Sequence, residues 1–289
     1  MDPLSLFLAL LAAALFGVVP HIQRAALPHT DIQTGAYITI VTGTVVFWAI
    51  APFQIESSWW FTQSTLLFAV CGLFFPSFSQ TLALKSVAMV GPNLNSAIGS
   101  SAPLFAAIFA LVFLGESLGI QGAAGMGLLM LGLALAAMGP GKGQVRQWAL
   151  WALLLPVGAS FFRGIAQGIT KLGFAEVPSA FFATLVMLSV STLVLTLGFA
   201  KKSTRASARQ NRKGNLIFAL NGLVAGGGIL ALNGALSLGA VTVAAPLAST
   251  APPWTFVYAL FFFKTEQLSF RLLGVSLMVV AGAILIVTR

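Results

Sequence analysis

Charge is scarce in this sequence. Only 7% of its 289 residues are charged, against about a quarter in an ordinary soluble domain. A chain so poor in charge cannot cover itself for water, so a soluble globular fold is excluded. Cysteine is scarcer still: the single Cys71 excludes an internal disulfide and any cysteine-based metal motif. The six acids, Asp2, Asp31, Glu56, Glu116, Glu176 and Glu266, lie in loops or at the ends of apolar runs. None pairs with a histidine at ligand spacing. No glycine-rich phosphate loop occurs, which removes ATP-driven pumping within this chain. The net charge of +9 does not point to nucleic acid, because no stretch can fold as a soluble basic domain. No cofactor or metal is expected.

What is abundant is apolar sequence, at 58% of the chain. Runs near 20 residues recur from end to end, each long enough to cross a bilayer as a helix. They are continuous rather than alternating, which argues against a barrel. The first run lacks a basic leader and contains Pro20, so it reads as a membrane span rather than a cleaved signal. Ten spans are predicted, at roughly 4–23, 34–53, 65–85, 92–114, 118–138, 148–170, 179–200, 215–236, 241–263 and 267–288. Of the 15 basic residues, twelve fall in connections after odd-numbered spans: Arg24, Lys85, Lys142, Arg146, Lys201, Lys202, Arg205, Arg209, Arg212, Lys213, Lys264 and Arg271. The positive-inside rule then puts loop 201–214 in the cytoplasm and both termini outside.

The chain also repeats itself. "LLFAVCGLFFPSFSQTLAL" from Leu66 and "LIFALNGLVAGGGILALNGAL" from Leu216 align at an offset of 150 residues. The same offset pairs Pro103 with Pro253, Glu116 with Glu266 and Gly132 with Gly282; near the starts of the halves an offset of 147 pairs Gly17 with Gly164 and Arg24 with Lys171. Chance matching of Leu, Ala and Gly is the alternative, but proline and glutamate are rare enough here to weigh against it. The reading is two five-helix units, 1–140 and 141–289. An odd number of helices per unit turns the second copy upside down, as in many secondary transporters, with the substrate site near the midplane. The predicted fold is thus an all-α polytopic membrane protein whose two inverted repeats surround a central cavity.

The stretch "NSAIGSSAPLFAAIFALVFLGESLGIQGAAGMGLLMLG" and its counterpart "APLASTAPPWTFVYALFFFKTEQLSFRLLGVSLMVVAG" share an order of small residues, proline, aromatic-aliphatic run, glutamate and glycine-bearing helix. In this the chain resembles the drug/metabolite transporter superfamily, specifically its ten-helix EamA-type exporters, over nearly its whole length. The resemblance implies export of amino acids or other small metabolites across the bacterial inner membrane. Within the superfamily the sequence is most similar to the amino-acid exporters, an aromatic amino acid branch included. The implied partners are a small-molecule substrate, in this reading an amino acid, and the lipid bilayer; a monomer suffices. The competing readings are a membrane-embedded enzyme and a non-transporting structural or receptor-like protein.

Polar residues within spans are the functional clues, since each is costly in hydrocarbon. The candidate substrate-binding set is Gln80, Asn95, Ser100, Arg163, Gln167, Asn221 and Ser249, with Phe78, Trp254 and Tyr258 as aromatic walls beside Phe75, Phe161 and Phe162. Arg163 is the costliest. It has no acidic residue in its own span, and a guanidinium can grip a substrate carboxylate at two points. The competing role is snorkelling or pairing with helix carbonyls. Gln167 lies one turn on, on the same face. His21 is the one titratable group near a span end that suggests coupling. Glu116 and Glu266 read as carboxylates at helix starts, where they offset the positive dipole end. Aromatics and hydroxyls in membrane helices also serve simply as packing. Pro252–Pro253 predicts a discontinuity in the ninth span, and Gly226–Gly228 a close contact or hinge.

Overall fold

Hydrocarbon offers no hydrogen bonds, so a spanning segment must pair its own N–H and C=O groups, which an α-helix does. The computed structural model describes residues 2–99, 101–137, 150–199, 211–263 and 270–288, and among them there is no strand. The first half contributes α1 (Pro3–Ala26), α2 (Ile32–Ile50), α3 (Gln63–Phe74), α4 (Ser77–Val90), α5 (Pro92–Gly99), α6 (Ala102–Phe113) and α7 (Ile120–Ala137). The second contributes α8 (Leu154–Gly173), α9 (Ala180–Phe199), α10 (Arg212–Leu238), α11 (Val241–Ala248), α12 (Ala251–Phe261) and α13 (Phe270–Val287). Among the described residues, six helical stretches are long and apolar enough to cross a membrane: 3–29, 32–53, 63–90, 150–173, 180–197 and 212–238. Shorter apolar helices run over Ala102–Phe113, Ile120–Gly132 and Leu277–Ile286. These are compatible with ten crossings when α3 joins α4, α5 joins α6 and α11 joins α12.

Three of the predicted spans are therefore divided, the ninth as Pro252–Pro253 predicts and the third and fourth in addition. The third divides at Phe75–Pro76 between α3 and α4. Pro76 supplies no N–H to the turn before it. In the fourth, α5 ends at Gly99 and α6 opens at Ala102–Pro103, with Ser101 in neither helix. The ninth divides at Ser249–Thr250, directly before Ala251–Pro252–Pro253. In both of the latter the proline opens the second piece, the helix position where a missing N–H costs least. Gly91, between α4 and α5, has a φ of 85°, a left-handed conformation that a side chain disfavours. The repeat-mate of the α3–α4 break is unbroken: α10 runs straight through Gly226–Gly228.

The packing has its own two-fold pattern. Helix α1 packs on α10 and α12, and α8 packs on α3–α4 and α6. Helix α2 packs on α10 as α9 packs on α3, while α2 meets α9 and α7 meets α13. Each pairing thus has a mate in which the halves exchange places. Small residues set the close approaches, since between lipid-covered helices packing replaces the hydrophobic effect. Gly125 and Gly282 face one another across α7–α13. Polar ties lock the remaining crossings: Asn221 Nδ2 donates to Thr39 Oγ1 at 3.1 Å, and Asn233 Nδ2 to Thr184 Oγ1 at 2.9 Å. Thr44 Oγ1 lies 2.8 Å from Thr192 Oγ1 between α2 and α9. The division between the units, expected at 140/141, lies outside the described residues, as do Ser100, Glu266 and most of loop 201–214.

Candidate functional site

The three helix breaks converge on one cavity. Its wall takes Phe75 and Pro76 from the α3–α4 break, Asn95, Ser96 and Gly99 from the end of α5, and Ala248, Ser249 and Ala251 from the α11–α12 break. Helix α1 adds Phe16, Val19, Pro20 and Gln23; α4 adds Ser79, Gln80 and Ala83; α8 adds Arg163; α10 adds Ala225 and Ile229. Non-helical backbone at membrane depth survives where it lines a cavity or is buried in protein, and here it does both. The space is about 70 Å³, room for roughly five waters.

Hydroxyl groups tie the broken helices to their neighbours. Ser160 Oγ reaches the Gly99 carbonyl at 3.0 Å while bonding Pro156 of its own helix at 2.7 Å. Ser79 Oγ donates to the Ala159 carbonyl at 3.1 Å. Ser96 Oγ and Thr255 Oγ1 lie 2.8 Å apart and tie α5 to α12. His21 Nε2 donates to the Thr255 carbonyl at 2.8 Å, and its ring stacks on Phe263 with centroids 4.8 Å apart. These groups are committed to holding the wall.

Three others keep an enclosed polar atom without a partner: Arg163 Nε, Gln80 Nε2 and Gln23 Oε1. A buried polar group left unmatched is unfavourable, and these three belong to residues of one cavity wall. The guanidinium of Arg163 also lies over the Phe16 ring, 5.5 Å from its centroid, a contact favourable to a cation.

Of the ten residues expected from sequence, the cavity gathers Arg163, Gln80, Asn95 and Ser249. Gln167 is buried one turn beyond Arg163 but is not part of the wall. Asn221 is fully buried in the α2–α10 tie. Phe78 is about half exposed and leans on Phe162. Trp254 is exposed beside Tyr258, with ring centroids 6.3 Å apart. Ser100 lies outside the described residues. Of the other expected aromatics, Phe75 does reach the wall, while Phe161 is exposed. Sequence reasoning missed Gln23. Its signal was there: an amide three residues after Pro20 and two after His21, near the end of a span.

A second polar cluster sits at the α10–α11 junction. Lys171 Nζ donates to the carbonyls of Leu236 and Gly239 at 2.9 and 2.8 Å. Glu116 accepts the backbone N–H groups of Val241 and Thr242 at 2.9 Å each. One cation therefore meets the negative end of α10 and one anion the positive end of α11. Arg24, the repeat-mate of Lys171, reaches the Ala88 carbonyl near the end of α4 at 3.5 Å.

The EamA-like transporter family matches residues 3–138 and again residues 150–288. The chain belongs to the EamA-like transporter family. The two matches are its two repeats, and the family is one of membrane transporters of small molecules. A solved structure described only as "Crystal structure of protein" shares 14% identity with this chain, at a TM-score of 0.70 over 97% of this chain and 95% of that one. At that identity the likeness concerns the fold. No curated protein matches the sequence.

Proposed function

We propose that this EamA-family chain is a secondary transporter that exports amino acids or similar small carboxylate-bearing metabolites across the bacterial inner membrane. Transport proceeds by alternating access, with the substrate held in the cavity between two inverted repeats. The observation that carries this reading is Arg163, a guanidinium on the wall of a small cavity where broken helices of both halves meet. A cation placed there suits a substrate carboxylate. The unequal mates support alternation: the first half is broken at Pro76 where the second runs on through Gly226–Gly228. Exchanging those shapes between the halves would exchange the open face.

On this reading the solute crosses chemically unchanged, and one chain suffices because it encloses the cavity alone. The test is uptake of labelled neutral amino acids and small carboxylic acids into liposomes holding purified protein, with recovery of the intact solute. Arg163→Ala should abolish uptake, and Arg163→Lys should fold but lose most of it, since an ammonium cannot reproduce the two-point grip. Transport by both variants at the wild-type rate would make Arg163 structural. Conversion of the solute would favour an enzyme.

A further inference from the structure

The cavity carries a positive charge, and nothing described balances it. The five described acids lie elsewhere. Asp2 accepts from the Leu4 amide and Asp31 from Thr34; Glu116 holds the start of α11. Glu176 accepts from the amide and hydroxyl of Ser64, and Glu56 is exposed. None of these five lines the cavity. Among the described wall residues the only ionic group is the guanidinium of Arg163.

We propose that this site selects small monoanionic 2-hydroxycarboxylates over zwitterionic amino acids of the same size. The inference rests on the transporter reading above and specifies its substrate. In an enclosed space of low dielectric, an uncompensated charge is strongly unfavourable and a neutralised one much less so. A monoanion cancels the charge of Arg163. A zwitterion brings its own ammonium into a site with no described carboxylate to receive it, and leaves the net charge unchanged. The unpartnered atoms fit the same ligand. Arg163 Nε and Gln80 Nε2 are donors for carboxylate oxygens, and Gln23 Oε1 is an acceptor for one hydroxyl. Gln23 is buried, at 1% exposed, and lies on the cavity wall. The cavity, about 70 Å³, favours a small acid over a large one.

The experiment compares labelled L-lactate, pyruvate and L-alanine, which are nearly isosteric, as substrates for the purified chain in liposomes under a potassium diffusion potential. Lactate should enter at least about tenfold faster than alanine, the range a site achieves by leaving the wrong ligand's polar groups unmatched. Pyruvate, charged but without a hydroxyl to donate, should fall between. Lactate entry should quicken when the lumen is made positive, because a net negative charge crosses. Gln23→Glu puts the missing carboxylate into the wall and should move the preference toward alanine, a change that a merely structural glutamine would not produce. Should that variant misfold, the wild-type comparison still decides. Alanine entering as fast as lactate would overturn the inference and leave the transporter reading standing. A folded, monodisperse preparation that moves none of the three solutes, nor any neutral amino acid, beyond protein-free liposomes would overturn both.

Discussion

Gly164 of α8 lies against the carbonyl oxygen of Ala102 at the start of α6: a Cβ added to it would stand 2.5 Å from that atom. Its repeat-mate Gly17 meets α12 in the same way, with Trp254 Cβ at 2.6 Å and the Ala251 carbonyl oxygen at 3.2 Å. In each half a glycine brings a straight helix onto the first turn after a helix break, where the neighbouring atoms include backbone and cannot rotate aside. Gly164→Ala should therefore destabilise the fold by about 1–3 kcal/mol, read as a lowered Tm in detergent. Gly226 is the contrast. Its added Cβ would come no closer than 3.5 Å, to Phe47, and alanine is favoured over glycine in a helix by about 1 kcal/mol. Gly226→Ala should leave Tm unchanged or raised. If α10 bends there during transport, the same substitution should slow uptake.

The distribution of basic residues predicts that loop 201–214 faces the cytoplasm. Cys71 is fully buried, so introduced cysteines can be labelled without background from it. A membrane-impermeant maleimide applied to intact cells should miss Ser203→Cys and label Ser57→Cys, whose position is exposed on the connection between α2 and α3. In inverted vesicles the pattern should reverse. Labelling of Ser203→Cys in intact cells would turn the whole assignment over.

The helical fold and the repeat were legible in the sequence because lipid solvent leaves few choices: long apolar runs must be helices, and prolines in register must break them at matching places. Pro252–Pro253 marked the break in the ninth span, and Pro103, the mate of Pro253, opens α6. Pro76 was also visible, but its consequence was not, since a proline kinks one helix and splits another according to what packs around it. Arg163, Gln80, Asn95 and Ser249, which reach the cavity wall, were conspicuous in the sequence as polar side chains at membrane depth. Asn221 was equally conspicuous, yet it ties α10 to α2. Chemistry alone does not separate an amide that binds a neighbour helix from one that faces a cavity; the face of the helix decides, and in helices apolar on all sides periodicity does not reveal it. Phe78 and Trp254 illustrate the same limit for aromatics, which hydrocarbon accepts as readily as a core does.

Proton coupling should be absent. No described carboxylate lines the cavity, and His21 is held by the Thr255 carbonyl and the Phe263 ring, which favours a wall-holding role over proton exchange. With the membrane potential clamped at zero, an imposed pH gradient should drive no accumulation beyond that in protein-free liposomes. His21→Gln should lower Tm by weakening the α1–α12 contact without altering that result. Accumulation driven by the gradient and lost in His21→Gln would instead identify the histidine as the coupling group.

Glu116 was expected to serve the start of the helix that follows it. It serves another one, 125 residues away: α7 begins at Ile120, while the carboxylate takes the first two amides of α11. The contact joins the end of α6 in the first half to the broken ninth span in the second, beside the Gly239 carbonyl that Lys171 holds. It therefore fastens the two halves to each other at one end of the bundle. Glu116→Ala leaves two N–H groups without their acceptor, a loss of about 1–3 kcal/mol for buried donors. Hydrogen exchange at Val241 and Thr242 should then accelerate by about tenfold or more, while Asn233, tied to Thr184 at 2.9 Å, should keep its protection. Glu116→Gln retains one acceptor oxygen and should fall between. If this junction opens in the transport cycle, Glu116→Ala should also make a cysteine at Ser237 more reactive toward maleimide than in the otherwise unaltered chain. Unchanged exchange at Val241 and Thr242 would remove Glu116 as the fastening between the halves.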